Sequence, residues 1–142
     1  LLERSIVHLK SPDYTKLDRL LVQIGRTDLQ RQPAEVLMLS EAFHWELYRR
    51  AGLPHFLATI TSARLNLNRY AFLAWSALGT RWDRRYSHAE LLDVSRSGEI
   101  ARARRLLTEH IRETGRTIVD FMEQEVQGDS RNGRRRNSKP AA

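Results

Sequence analysis

The sequence predicts an all-α fold, an antiparallel bundle of about six helices. Three observations carry this. Apolar residues recur at three- and four-residue spacing in one segment after another. No segment alternates apolar and polar residues with the β-branched enrichment and hairpin turns that a sheet requires. Pro and Gly fall at short intervals between the periodic stretches, where they open and close helices.

Residues 1–10 read as the end of a first helix whose beginning is missing; the chain starts at Leu1 rather than Met and is expected to be part of a longer protein. Ser11-Pro12 supplies a cap and a proline at the first helical position of a helix reaching about Ile24. Gly25 to Gln32 form a loop, and Pro33 opens a helix that Ala51-Gly52 closes. Pro54 starts a long helix through Leu78, stopped by Gly79. A charged turn around Arg81 to Arg85 leads to a short helix from Ser87, ended by Gly98. The last helix begins at Glu99 and runs to about Val126. The remaining residues, 127–142, read as a flexible basic tail, with Arg131, Arg134, Arg135, Arg136 and Lys139 set against Asp129 alone. That gives one helical domain over 1–126 and an appendage.

With 142 residues, 41% of them hydrophobic, the chain is long enough to bury a core and too apolar to be disordered. No apolar run approaches a membrane span, and Arg4, His8 and Lys10 interrupt anything resembling a signal peptide, so no membrane partner is expected. The absence of cysteine rules out disulfides and thiolate zinc sites and is compatible with a cytoplasmic protein. Much of the net charge of +7 sits in the tail, so it reads as a solubilising terminus with at most weak phosphate affinity. Arg102, Arg104, Arg105 and Arg112 read as a solvated face rather than a DNA groove.

The stretch Ser40 to Arg50, SEAFHWELYRR, contains the first anomaly. At 3.6 residues per turn, Val36, Leu37, Ser40, Phe43, Leu47, Tyr48 and Ala51 share one arc, and His44 lies inside it. On the last helix His110 falls within the arc of Ile100, Ala103, Leu106, Leu107, Ile111, Thr114, Ile118 and Phe121. His88 shares a face with Leu91, Leu92 and Ser95 on the short helix. His8 and His55 fall outside such patterns. A buried imidazole needs partners for both nitrogens, because an unsatisfied polar group costs about 1–3 kcal/mol. A single one is ordinarily a core residue bonded to a carbonyl or hydroxyl. Three on separate helices also fit a transition-metal site built from facing helices, although no sequential ligand motif is present.

The long helix adds a charge to the same interior. Phe56, Leu57, Ile60, Ala63, Leu67, Ala71, Ala74, Trp75 and Leu78 form its arc, Arg64 falls within it, and Asn68 lies one turn on at its edge. A buried guanidinium must pair with an internal carboxylate, reach solvent, or await an anionic ligand. The arcs offer no internal carboxylate, which favours the last two. Guanidinium geometry makes a small organic acid the natural ligand. Tyr70 and Trp75 are candidates for the lining of a pocket, or plain core aromatics. Thr114 and Ser95 lie near the inward arcs.

The order Phe43-His44-x-x-Leu47, then AGLP (Ala51 to Pro54), then His88 followed by AELL, then a Gly turn and ARARRLLTEHI containing His110, resembles the FCD domain of FadR-branch GntR transcription regulators. The resemblance covers nearly the whole chain to about Val126. It implies a bundle of six or seven helices enclosing a ligand and metal cavity, with a divalent metal held by an Asp and three His. The His correspond to His44, His88 and His110. The Asp position, one turn before His44, is Ser40, a departure that removes the anionic ligand unless Glu41 or an effector carboxylate replaces it. Three imidazoles still suit zinc or nickel. The resemblance further implies a homodimer, a small-acid effector and operator DNA bound by an N-terminal winged helix-turn-helix not contained in these residues. The rivals are a metal-dependent hydrolase of small esters or amides and a metal-free scaffold. The hydrolase needs a general base near the metal, and Glu41, Glu46 and Glu109 all point off the histidine arcs, so no catalytic residue is assigned.

Overall fold

The structure, a computed structural model, describes residues 1–78 and 85–137, with side chains for 1–78 and 88–127. These residues form six helices: α1 (Leu2–Ile6), α2 (Ser11–Arg26), α3 (Pro33–Tyr48), α4 (Pro54–Leu78), α5 (Arg85–Arg96) and α6 (Ile100–Asn137). A 3-10 turn over Arg49–Ala51 extends α3. No strand occurs among the described residues. The all-α bundle is therefore as expected.

The punctuation works as the sequence implies. Pro33 and Pro54 stand at the first positions of α3 and α4, and Gly52 and Gly98 adopt φ values of 67° and 72° after the preceding helices. At α2 the boundary shifts by one residue. Ser11 is already helical, Lys10 is the cap, and the Asp13 carboxylate accepts the Lys10 N–H at 2.9 Å. The first helix is short, ending at Ile6 rather than near residue 10. α5 begins at Arg85, ahead of Ser87, while Gly79 and most of the Arg81 to Arg85 turn lie outside the described residues. α6 continues beyond its expected end near Val126 to Asn137. Gly128 and Gly133 weaken a helix by about 1 kcal/mol each without breaking it, and no proline intervenes before Pro140.

Two apolar clusters share the interior. The larger joins α1, α2, α3, α5 and the start of α6 through Leu17, Phe43, Leu47, Leu91, Leu92 and Ala103, all 0–1% exposed. The smaller consists of Leu37, Ala71, Ala74, Trp75 and Ile118, with Val36, Leu29 and Phe121 against it. α4 contributes Leu57 to the first and Ala71 to Trp75 to the second, and no residue between Leu57 and Ala71 is buried. α3 runs the other way, with Leu37 in the smaller cluster and Phe43 and Leu47 in the larger.

The expectation that no carboxylate lies inside is overturned. Asp13 and Glu46 are 1% and 0% exposed. Asp13 accepts hydrogen bonds from Arg49 and Arg50, and Glu46 pairs with Arg49 and with Lys16 at 2.7 Å. The Arg50 hydrogen bond holds the Asp13 carboxyl below the usual aspartate range, against the opposing pull of burial and with help from the Lys10 N–H. These pairs lock the start of α2 to the end of α3. An apolar-arc argument misses them because Asp13 meets Arg49 and Arg50, and Glu46 meets Lys16, across two helices.

Candidate functional site

Helix phase brings His44, His88 and His110 together from α3, α5 and α6. Their ring centroids are 5.1 Å apart for His44–His88, 5.1 Å for His44–His110 and 4.9 Å for His88–His110. His44 and His88 are buried and His110 is half-buried. The Phe43 ring meets His44 and His88 edge-on, with centroids 5.7 and 5.1 Å away, and fixes their tilt. Tyr48 stacks on His44, and its hydroxyl lies 3.4 Å from Nδ1, leaving Nε2 for the cluster. Burial pushes the Tyr48 phenol up, so this group stays protonated. His8 and His55 are exposed, as expected.

One nitrogen from each ring lies within 4.8 Å of the other two. A tetrahedral ion bound at about 2.0–2.1 Å requires nitrogens about 3.3–3.4 Å apart. Ring rotations closing the cluster by about 1.5 Å at most would meet that, so the donor set fits a divalent transition metal in number, type and reach. Burial, then His88, Arg64 and His110, hold the His44 pKa well below the ordinary histidine range. A neutral ring is the form that ligates metal.

Ser40, at the position where the resemblance places Asp, points into the same cluster. Its Oγ is 3.2 Å from His88 Nε2 and only 6% of the residue is exposed. The hydroxyl can hold a ring or a bound water but brings no negative charge.

A cavity of about 1140 Å³ opens from the histidines between α3, α4 and α6. Ser40, Arg64, Asn68 and Trp75 line it along with the three histidines, whereas Tyr70 does not: it packs beside the smaller apolar cluster and hydrogen-bonds Arg69. Thr114 lines the cavity with its hydroxyl bonded to the His110 carbonyl. Ser95 is buried elsewhere and bonds the Leu91 carbonyl at 2.7 Å. Phe56, Leu67 and Ile111 are 64, 52 and 57% exposed although they occupy the inward arcs. They face this open space, which is why helix phase read them as core.

Arg64 does have a carboxylate near it. Glu41 on α3 lies 3.8 Å from Arg64 Nε and accepts the Asn68 amide at 2.7 Å. Arg64 Nε is buried and makes no hydrogen bond. The pairing is thus electrostatic and loose, and the tighter bond goes to Asn68. Glu41 lines a smaller neighbouring groove of about 370 Å³. Arg102 pairs with Glu90 and Glu99, and Arg104 with Glu3, on the solvated face expected for them.

No described helix is long and apolar enough to cross a membrane. No curated protein and no solved structure matches the chain. Residues 1–113 match the FCD domain, the effector-binding regulatory domain of GntR-type transcription regulators. As that match spans most of the 142 residues, the chain belongs to the FCD domain family.

Proposed function

We propose that this domain senses a small organic carboxylate at a site shared by Arg64, Asn68 and a divalent transition metal, zinc or nickel, on His44, His88 and His110. The observation that carries the reading is the convergence of three imidazoles from three helices on the wall of a cavity whose α4 side presents Arg64 and Asn68. The metal would supply positive charge and an open coordination position. Arg64 has a buried Nε without a hydrogen bond and only a loose hold on Glu41, so an incoming carboxylate has a donor to take. Asn68 would turn its amide from Glu41 to the ligand.

α3, α4, α5 and α6 all contribute to the site, so a ligand that binds one arrangement of these helices more tightly shifts the population toward it. In a FadR-branch regulator acting as a cytoplasmic homodimer, that shift would reposition N-terminal DNA-binding domains on operator DNA. The metal-free scaffold remains the natural rival, since Ser40–His88 and Tyr48–His44 contacts also satisfy buried rings.

Two measurements test the proposal. Elemental analysis of protein purified without a metal-affinity tag should find about one zinc or nickel per chain; metal-free protein with no metal-induced melting shift would refute coordination. A thermal-shift screen of mono- and dicarboxylates, with and without chelator, should yield acids that stabilise the wild type and not Arg64→Ala. A screen without hits would refute the sensor.

A further inference from the structure

The shape of the cavity says more about the ligand than its polar residues do. The cavity extends to both sides of His44, His88, His110 and Arg64, on one side toward Phe56, Arg104 and Leu107 and on the other toward the smaller cluster; this second reach ends at the apolar residues Leu37, Trp75 and Ile118. This reach is about 12 Å along α6 from His110 to Ile118 and about 16 Å along α4 from Arg64 to Trp75, at 1.5 Å per residue. A volume of about 1140 Å³ lies just above the range of about 300–1,000 Å³ that serves drug-sized ligands. A two- to four-carbon acid at the histidines would leave most of this space to water.

A glycine gives an independent indication. Gly25 in α2 and Gly115 in α6 both line the cavity, and a Cβ added at either would meet no atom within 4 Å. A glycine inside a helix is disfavoured relative to alanine. Gly25 stands in the last turn of α2, where a helix end suits glycine, but Gly115 lies inside α6 with no neighbour to clash with and no positive φ, so neither tight packing nor a turn accounts for it. What the missing side chain does is keep volume open. Gly115 does so between His110 and Ile118, where a chain anchored at the histidines would pass.

We infer that the ligand is an amphiphilic monocarboxylate, with its carboxylate at Arg64 and the histidine cluster and an alkyl or aryl body lying over Gly115 toward Trp75 and Ile118. This rests on the carboxylate reading of the site given above and specifies the rest of the molecule. The body covers apolar surface at about fourfold in affinity per methylene. Leu67 and Ile111, 52 and 57% exposed at the open side, are the surface it removes from water.

The test is a homologous series on the full chain: n-alkanoates from butanoate to dodecanoate and the matched 1-alkanols, followed by calorimetry and by Trp75 fluorescence. The wild type, Arg64→Ala, Gly115→Ala and Gly115→Phe are compared. The expected result is affinity rising about fourfold per methylene until the cavity is full. Gly115→Phe should lose at least about tenfold for decanoate while keeping butanoate, and Gly115→Ala should change little. Melting temperatures for the Gly115 variants at or above that of the wild type exclude a folding defect, as helix propensity predicts. Short acids that bind through Arg64 with no gain from length, or a Gly115→Phe protein that binds decanoate normally, would overturn the inference and leave the carboxylate site standing. Alkanols that match the acids, with no effect of Arg64→Ala, would overturn the carboxylate anchor and the inference together.

Discussion

Ser40→Asp tests whether the three histidines surround a common point. Ser40 is buried and its Oγ already lies 3.2 Å from His88 Nε2, so a carboxylate there is delivered to the cluster. Without metal the change is unfavourable: a buried carboxylate costs several kcal/mol unless paired, and Arg64 offers only partial compensation. With metal it adds a charged fourth ligand. Groups that merely support a ligand are worth about 10–100-fold in affinity, so about 100-fold is the expected gain from direct ligation. That is about 2.7 kcal/mol, felt as added stability at any fixed saturating metal concentration. A domain of this size shifts by about 3–5 °C per kcal/mol. The gap between melting with zinc and melting with chelator should therefore widen by about 8–13 °C relative to wild type, with the chelated variant melting below wild type. Ser40→Asn, of similar size without charge, should widen it little. Competition against a chromophoric chelator gives the affinity directly. A folded Ser40→Asp protein whose zinc affinity is unchanged would refute a shared coordination point.

Three further outcomes follow from the same geometry. His44 titrates well below its unfolded value of 6.5. The unfolded chain therefore takes up a proton first, and stability present above about pH 6.5 declines as pH falls toward the depressed folded value. Chelated His44→Gln should show a flatter dependence of melting temperature on pH over that window, and an identical slope would contradict it. Asp13→Asn removes the buried negative charge that Arg49 and Arg50 share and puts an amide donor where a carboxylate oxygen accepts the Lys10 N–H and Arg50 Nε. It should cost about 2–3 kcal/mol in urea unfolding, below the 3–5 kcal/mol of a fully buried pair because both arginines reach solvent. The Asp13 carboxyl is held below its ordinary range, so its contribution is present above about pH 4 and is lost as pH falls below that; the variant should narrow its deficit in acid. Phe43→Leu should cost about 1–2 kcal/mol and lower zinc affinity about tenfold, since Phe43 fixes the tilt of two rings; unchanged affinity would show that the rings orient themselves.

Periodicity made the helices, their proline and glycine boundaries and the inward phase of His44, His88 and His110 readable from the chain. Arg64 and Asn68 were readable as cavity-facing for the same reason. What phase cannot show is what stands opposite a face. Phe56, Leu67 and Ile111 look like core by spacing, yet they border open space. Asp13 and Glu46 look like surface by spacing, yet Arg49 and Arg50 cross from the end of α3 to cover Asp13, and Lys16 crosses from α2 to join Arg49 on Glu46. Glu41 sits off the histidine arc, and only the antiparallel course of α3 and α4 puts it beside Asn68 and Arg64. Tyr70 sits near the expected wall but outside it, packed against the smaller cluster and bonded to Arg69. Each of these is a question of tertiary approach, set by pairs of residues far apart in the chain.

α4 resembles a beam held at its ends. Leu57 seats one support and Ala71, Ala74 and Trp75 the other, leaving thirteen residues, about 20 Å, without a buried side chain. A span of that kind bends under small loads, and Arg64 and Asn68 sit near its middle. Whatever tugs on that guanidinium is transmitted to both footings, one in each core, so a local pull becomes a change in how the two halves of the molecule lean on each other. Amide exchange across residues 58–70 is where that stiffening would first be seen.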